Sequence, residues 1–79
     1  MHHGPSNLGA VRHAALMERC RQVLGAQFLP VYEYLKAARL SSVAEKEVMH
    51  NLESLVGRTR LNDCMCVDEL IFIEQMSEG

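Results

Sequence analysis

The side chains with the most obvious chemical potential are two closely spaced cysteines and the polar residues around them. Cys64 and Cys66 form a C-x-C pair, and His50 with Asp63 or Asp68 could supply further metal ligands. Structural zinc sites usually pair a C-x₂₋₄-C motif with a second ligand pair, and this sequence lacks that second pair. Residues two positions apart on a helix also point about 200° apart. We therefore expect no metal and no other cofactor, and we interpret these cysteines as small apolar residues.

A cysteine nucleophile is equally poorly supported. A reactive thiol needs a partner base and an electropositive setting. A helix N-terminus would somewhat lower the thiol pKa of Cys64, but His50 lies on another predicted helix without a defined partner. Gly25 and Gly57 resemble helix terminators, not a phosphate-binding loop. The following carboxylates alternate with basic or apolar residues, as on a solvated face: Glu45, Glu47, Glu53, Glu69 and Glu74. We expect a segment without enzymatic activity.

Composition limits the remaining classes of function. The 79 residues allow one domain at most, and 48% hydrophobic with 23% charged residues is not the composition of a disordered tail. A net charge of −2 argues against nucleic acid and anionic membrane as partners. No apolar run approaches the roughly 20 residues that span a bilayer, and the chain start lacks the apolar region of a secretory signal.

The cysteine count and the first residues bear on compartment and domain limits. Three cysteines are an odd number, which argues against an intrachain disulfide framework and predicts reduced thiols in an intracellular compartment. Residues 1–6 resemble a shortened histidine tag followed by a protease-site remnant. We therefore predict a single domain over residues 7–76.

Apolar periodicity predicts two helices in the first half of the chain. The first, from Ser6 or Asn7 as N-cap to Leu24, carries an apolar stripe that Gly25 ends. The stripe comprises Leu8, Val11, Ala15, Cys20, Val23 and Leu24. The second helix begins near Leu29, because proline at position 30 suits only a first turn, and continues to Leu40. One long helix kinked between residues 25 and 30 is the alternative.

The second half predicts two further helices. Ser42 and Glu45 match a capping box, and the third helix then runs to Val56, with Gly57 in the position after its end. Its apolar face comprises Val48, Met49, Leu52, Leu55 and Val56. After a connector over residues 58–61, Asn62 or Asp63 caps a fourth helix that reaches Gln75 or Met76.

The apolar run in the fourth segment could also be a β-strand, over residues 70–73. Asp68 and Glu69 interrupt the run, and no second strand is available to pair with its backbone groups. We therefore predict an all-α fold, a small bundle of three to four short helices.

The fourth helix has more apolar surface than a small domain easily covers. Its apolar residues are Cys64, Met65, Cys66, Val67, Leu70, Ile71, Phe72 and Ile73. A helix that is apolar nearly all round is either wrapped by its neighbours or placed at an interface. We predict that the core face or partner-binding face comprises Phe28, Val31, Tyr32, Leu35, Leu52, Val56, Val67, Leu70, Ile71 and Phe72.

Several short patterns resemble the extreme C-terminal segment of NIMA-related protein kinases. That segment carries a Leu-Gly pair, an aromatic residue, Val-Tyr-Glu, an aliphatic-Lys-Ala step, a helix ending in Leu-x-Gly and a closing apolar helix. The counterparts here are Leu24-Gly25, Phe28, Val31-Tyr32-Glu33, Leu35-Lys36-Ala37, Leu55-Val56-Gly57 and the stretch from Val67 to Glu74. The resemblance spans roughly residues 18 to 76.

The resemblance implies a non-catalytic tail of a ciliary or basal-body serine/threonine kinase, without the kinase motifs themselves. In such kinases the tail docks the helical C-terminal domain of a leucine-rich-repeat cilia- and flagella-associated protein. The implied locations are the cytoplasm, the basal body and the cilium. Homo-oligomerisation of a kinase or scaffold protein is the alternative function, and a thiol- or metal-sensing module is a third.

Overall fold

A computed structural model describes residues 4–78 of the chain, with side chains over residues 9–76. The described residues form four α-helices joined by two 3₁₀ segments and no strand, which confirms the predicted all-α fold. The helices are α1 (Gly4–Leu24), α2 (Phe28–Leu40), α3 (Glu45–Val56) and α4 (Met65–Glu78). The 3₁₀ segments are Gly25–Gln27 and Arg58–Cys64.

α1 and α2 are two separate helices joined by a 3₁₀ segment, not one long kinked helix. Gly25 has φ of +57°, outside the right-handed helical region, and is the first residue of the 3₁₀ segment between the two helices. α2 then begins at Phe28, so Pro30 lies in the first turn, where its missing N–H removes no helical hydrogen bond. The predicted helix boundary near Leu29 is correct to one residue.

The first helix begins earlier than predicted. Ser6 and Asn7 lie inside α1 and not at its N-cap, because the helix extends back to Gly4. Residues 1–3 of the predicted tag remnant lie outside the described residues, and its assignment as a remnant stays a prediction.

The C-terminal end of α1 is stabilised by Arg60, whose guanidinium donates a hydrogen bond to the carbonyl of Val23 in the last turn of α1. Such carbonyls have no partner within the helix itself.

The predicted capping box at Ser42 is wrong. Ser42 has φ of +57° and closes α2 instead of opening α3. Its N–H donates to the carbonyl of Arg39 at 3.3 Å, and the N–H of Val43 donates to that of Ala38 at 3.0 Å. These two bonds form a Schellman motif, in which Ser42 takes the left-handed position that glycine usually occupies. Ala44 precedes α3 as its N-cap and makes no side-chain cap hydrogen bond.

The end of α3 at Gly57 agrees with the prediction. The N–H of Gly57 donates to the carbonyl of Glu53 at 2.8 Å. Its φ of +86° and ψ of +155° correspond to an extended conformation at positive φ that is nearly restricted to glycine, not to the left-handed helical conformation.

The segment before α4 differs from the predicted connector and cap. Asn62 and Asp63 lie inside the 3₁₀ segment that leads into Met65, so neither is the N-cap of a free helix start. The N–H of Met65 donates to the backbone carbonyl of Asn62. A continuous helical backbone thus replaces the expected side-chain cap.

The core lies between α4 and the three other helices. Its buried residues are Cys20, Leu24, Phe28, Val31, Leu35, Ala38, Val48, Leu52, Cys64, Val67, Leu70 and Ile71. On α1 only the C-terminal half of the predicted stripe is buried, since Val11 and Ala15 are exposed and the side chain of Leu8 lies outside the described ones. On α3, Met49 and Leu55 are also exposed.

Candidate protein-interaction surface

The ten residues predicted as a core or binding face separate into two groups. Seven are buried: Phe28, Val31, Leu35, Leu52, Val67, Leu70 and Ile71. Tyr32 and Val56 are half-buried and pack against this cluster. Phe72 differs from the other nine, because 60% of its surface is exposed. Phe72 is therefore the predicted residue best placed for contact with another molecule.

α4 has two opposite faces. Val67, Leu70 and Ile71 point into the core. Met65, Phe72 and Met76, which we call the α4 stripe, are 69%, 60% and 66% exposed. At about 100° per residue, these three positions fall within about 40° of one another, opposite the core face. The other helices thus cover one side of this apolar helix and leave a line of large side chains uncovered.

An open groove of about 750 Å³ lies between α4 and α1, and Met65 and Phe72 of the α4 stripe line it. We call it the α1/α4 groove. Its lining comprises Leu16, Arg19, Val23, Asn62, Asp63, Met65, Cys66, Asp68, Glu69 and Phe72. Apolar side chains from both helices line the groove with charged groups among them, a mixture typical of ligand and partner sites.

Two acidic side chains that line the groove, Asp68 and Glu69, are paired with arginines within the domain. Arg12 of α1 lies 3.5 Å from Glu69, and both side chains are more than half exposed. On the other side of α4, Arg39 of α2 donates from Nε and Nη2 to Oδ1 of Asp68, at 3.0 and 2.7 Å. These ion pairs connect α4 to α1 and α2. The side chains of the α4 stripe, in contrast, remain exposed and are not covered by another part of the domain.

Glu74 was predicted on a solvated face, which is wrong. Its side chain is only 19% exposed and accepts two hydrogen bonds of 2.7 Å, one from Nε2 of His13 and one from the hydroxyl of Tyr32. Burial alone would raise the pKa of this carboxyl group. The two hydrogen bonds, with the charges of His13 and Lys36, outweigh burial and lower the pKa of Glu74 below its usual value.

The thiols of Cys64 and Cys66 lie near different backbone carbonyl groups. The thiol of Cys64 lies 3.8 Å from the carbonyl of Arg60, whereas that of Cys66 donates to the carbonyl of Asp63 at 3.0 Å. Burial raises the pKa of Cys64, so the lowered thiol pKa expected near a helix N-terminus is wrong. Across the described residues, no three histidine, cysteine or acidic side chains are arranged to hold a metal ion.

Comparison with known proteins places this sequence beside one group of kinases. The chain is 38% identical over 77 residues to the serine/threonine-protein kinase Nek11 of Macaca fascicularis, an alignment that covers 91% of this chain and 12% of that kinase. It is 39% identical over 62 residues to Nek11 of Mus musculus, covering 77% of this chain and 10% of the kinase. The human Nek11 is 36% identical over 77 residues. This chain is similar to a segment of a NIMA-related kinase.

The predicted resemblance to NIMA-related kinases is therefore confirmed. The chain spans about a tenth of the length of these relatives, so the match concerns a short segment of each. No family model matches the sequence, and no solved structure matches it. Among the described helices, none is both long and apolar enough to cross a membrane.

The predicted core or binding face did not include Met65 and Met76 of the α4 stripe, and the prediction for Glu74 missed its buried role. Met65 and Met76 lie seven residues before and four residues after Phe72, a spacing that places all three on one helical line. That signal was present in the sequence. Glu74 shares the helical face of Val67 and Ile71, which indicates an inward position, but its partners His13 and Tyr32 are distant in sequence and gave no comparable signal.

Proposed function

We propose that this chain is a non-catalytic protein-interaction module of a NIMA-related kinase, which binds a partner helix along the α4 stripe and the α1/α4 groove. The observation that carries the proposal is the exposure of Met65, Phe72 and Met76 on a helix whose opposite face is fully buried. Aligned large apolar side chains of this kind mark interaction sites. The similarity to Nek11 supports a kinase as the parent protein.

The dimensions of the stripe suit an α-helix as the bound element. Met65 and Met76 are eleven residues apart, which is about 16 Å along a helix and equals roughly three turns of a partner. A partner helix with apolar residues at positions i, i+3 or i+4, and i+7 would place its side chains between those of the stripe. Leu16 and Val23 of α1 would form the far wall of the site.

The resemblance to kinase C-terminal tails suggests the partner and the location. We propose that the helix comes from the helical C-terminal domain of a leucine-rich-repeat cilia- and flagella-associated protein, at the basal body or the cilium. This segment would then locate the kinase, while catalysis would belong to the rest of the parent chain.

A binding measurement with paired surface variants tests the proposal. Phe72→Asp and Met65→Asp each place a charge on the stripe, whereas Leu40→Asp changes a 71% exposed leucine that does not line the α1/α4 groove. Circular dichroism first establishes that all three variants are folded. Calorimetric titration with the partner's helical domain should then show at least about a tenfold loss of affinity for the two stripe variants and no change for Leu40→Asp.

Two results would reject the proposal. Unchanged affinity in folded Phe72→Asp protein would exclude the α4 stripe as the docking site. A stable homodimer in sedimentation, formed without any partner and disrupted by Phe72→Asp, would assign the stripe to homo-oligomerisation instead.

A further inference from the structure

The α1 wall of the α1/α4 groove carries one charged side chain between two apolar ones. Leu16, Arg19 and Val23 follow one another at steps of three and four residues, so they share one face of α1. All three line the groove, and Met65 and Phe72 line it from α4. A partner helix in this groove would therefore meet a positive charge among its apolar contacts.

The three acidic side chains that line the groove each have an arginine partner from outside its lining. The pairs, with their shortest N–O distances, are Arg60–Asp63 at 3.4 Å, Arg39–Asp68 at 2.7 Å and Arg12–Glu69 at 3.5 Å. Arg19 is the one basic residue of the lining and is exposed, and no acidic side chain within the described part of the chain pairs with it. The groove therefore has one positive charge without a partner.

We infer that the element bound in the α1/α4 groove is an amphipathic helix with an acidic residue beside its apolar row, and that this residue pairs with Arg19. The inference rests on the proposed function of the groove and adds the charge of the partner. Charges across a protein interface are arranged in complementary pairs, which favour the correct partner and fix its register. An arginine can also bind a carboxylate through two parallel N–H groups, which would fix the position of the helix along the groove.

A second copy of this chain does not supply the missing charge. In a twofold dimer the same surface of both copies meets, so the groove of one copy would be paired with the groove of the other. The carboxylates of that surface, Asp63, Asp68 and Glu69, already have arginine partners. Such a dimer would bring two arginines at position 19 into one interface without an acidic side chain left for either, which is unfavourable.

Designed peptides test the charge of the partner. Each peptide is an alanine-rich helix of about 20 residues with one row of leucines, and the positions on both sides of that row hold Glu, Gln or Lys. The three peptides therefore differ only in the charge beside the apolar row. Fluorescence anisotropy measures their affinity for the full chain and its variants at low salt, where charge pairs are least screened.

The wild type should bind the Glu peptide at least about threefold more tightly than the Gln peptide, and the Lys peptide most weakly. Arg19→Gln should remove this order, and Arg19→Glu should reverse it, so that the Lys peptide binds best. Arg21→Gln is the matched control and should leave the order unchanged. Arg21 is an exposed arginine of the same helix, but it lies over the ring of Phe28 and does not line the groove.

The failure of this inference can be distinguished from the failure of the proposed function. If all three peptides bind the wild type equally and Phe72→Asp abolishes binding, the helix site stands and the acidic partner residue is wrong. If no peptide binds even at about 1 mM, the groove does not take a helix and both proposals are rejected.

Two further results would overturn the inference. Loss of the peptide order in Arg21→Gln would mean that the preference comes from the overall charge of α1 and not from contact with Arg19. Wild-type dimers in sedimentation that the Glu peptide dissociates would assign the groove to a second copy of the chain.

Discussion

The hydroxyl of Tyr32 on α2 donates a hydrogen bond to Oε1 of Glu74 on α4, over 2.7 Å. The second oxygen of the same carboxylate accepts from Nε2 of His13 on α1, also over 2.7 Å. One largely buried acidic side chain thus connects three helices that are far apart in sequence. Its position beyond the last fully buried residue of α4 keeps the end of that helix attached to the bundle.

The first prediction concerns the coupling between Tyr32 and Glu74. Tyr32→Phe should lower the free energy of unfolding by about 1–3 kcal/mol, because it removes a hydrogen bond to a charged group. In a double-mutant cycle with Glu74→Gln, the two changes should be non-additive by at least about 0.5 kcal/mol. Urea unfolding of the four proteins gives these values. Full additivity would mean that the hydrogen bond does not stabilise the fold.

The second prediction concerns acid stability. The pKa of Glu74 is lower in the folded protein than its usual value of 4.5, so between these two values the unfolded chain binds more protons. Stability from this group is therefore fully present above about pH 4.5 and is lost as the pH falls through the folded pKa. Glu74→Gln should make the fall of unfolding free energy below this pH less steep. Urea unfolding between pH 3 and pH 6 measures it, with exposed Glu47→Gln as the control variant.

The helix boundaries were predictable from the sequence where they depend only on residues close to them in the chain. Apolar periodicity and Gly57 located α3, since both depend only on neighbouring residues. The capping box at Ser42 failed because the same serine also lies where α2 must end. The two hydrogen bonds to Ala38 and Arg39 satisfy carbonyls of α2, and sequence alone does not show that this requirement outweighs an N-cap for α3.

Which apolar side chains are exposed was less predictable from the sequence, because the burial of a side chain depends on which helices pack against it. An apolar pattern around most of α4 indicated excess apolar surface, but it could not distinguish Phe72 from Ile71 next to it. The arrangement of α1 and α2 on the opposite side decides that Ile71 is buried and Phe72 exposed. Val11 is exposed for a similar reason, since its apolar character gave no indication of how far along α1 the other helices extend.

The third prediction tests the conformation of Ser42. Its φ of +57° is unfavourable for a residue with a Cβ atom and costs glycine little. Ser42→Gly should therefore raise the free energy of unfolding by about 0.5–1 kcal/mol. Ser41→Gly is the matched control, because Ser41 has φ of −93° and gains nothing from glycine. Thermal unfolding compares the two, and a stabilisation by Ser41→Gly alone would contradict the assigned geometry.

The fourth prediction compares two glycines that have opposite backbone requirements. Gly57→Ala should lower the unfolding free energy by about 1–3 kcal/mol, because φ of +86° is strained for alanine even though no atom lies near the added Cβ. Gly9→Ala, inside α1 with open space around it, should raise stability by about 0.5–1 kcal/mol. Urea unfolding of both variants should give changes of opposite sign.

The fifth prediction separates core from surface on α4 itself. Leu70 is fully buried, and Leu70→Ala should lower the free energy of unfolding by about 2–5 kcal/mol through lost contacts and a new cavity. Phe72 is two positions away and mostly exposed, so Phe72→Ala should change stability by no more than about 0.5 kcal/mol. Urea unfolding measures both. A large loss of stability in Phe72→Ala would place this side chain in the core and remove the main support for an exposed binding stripe.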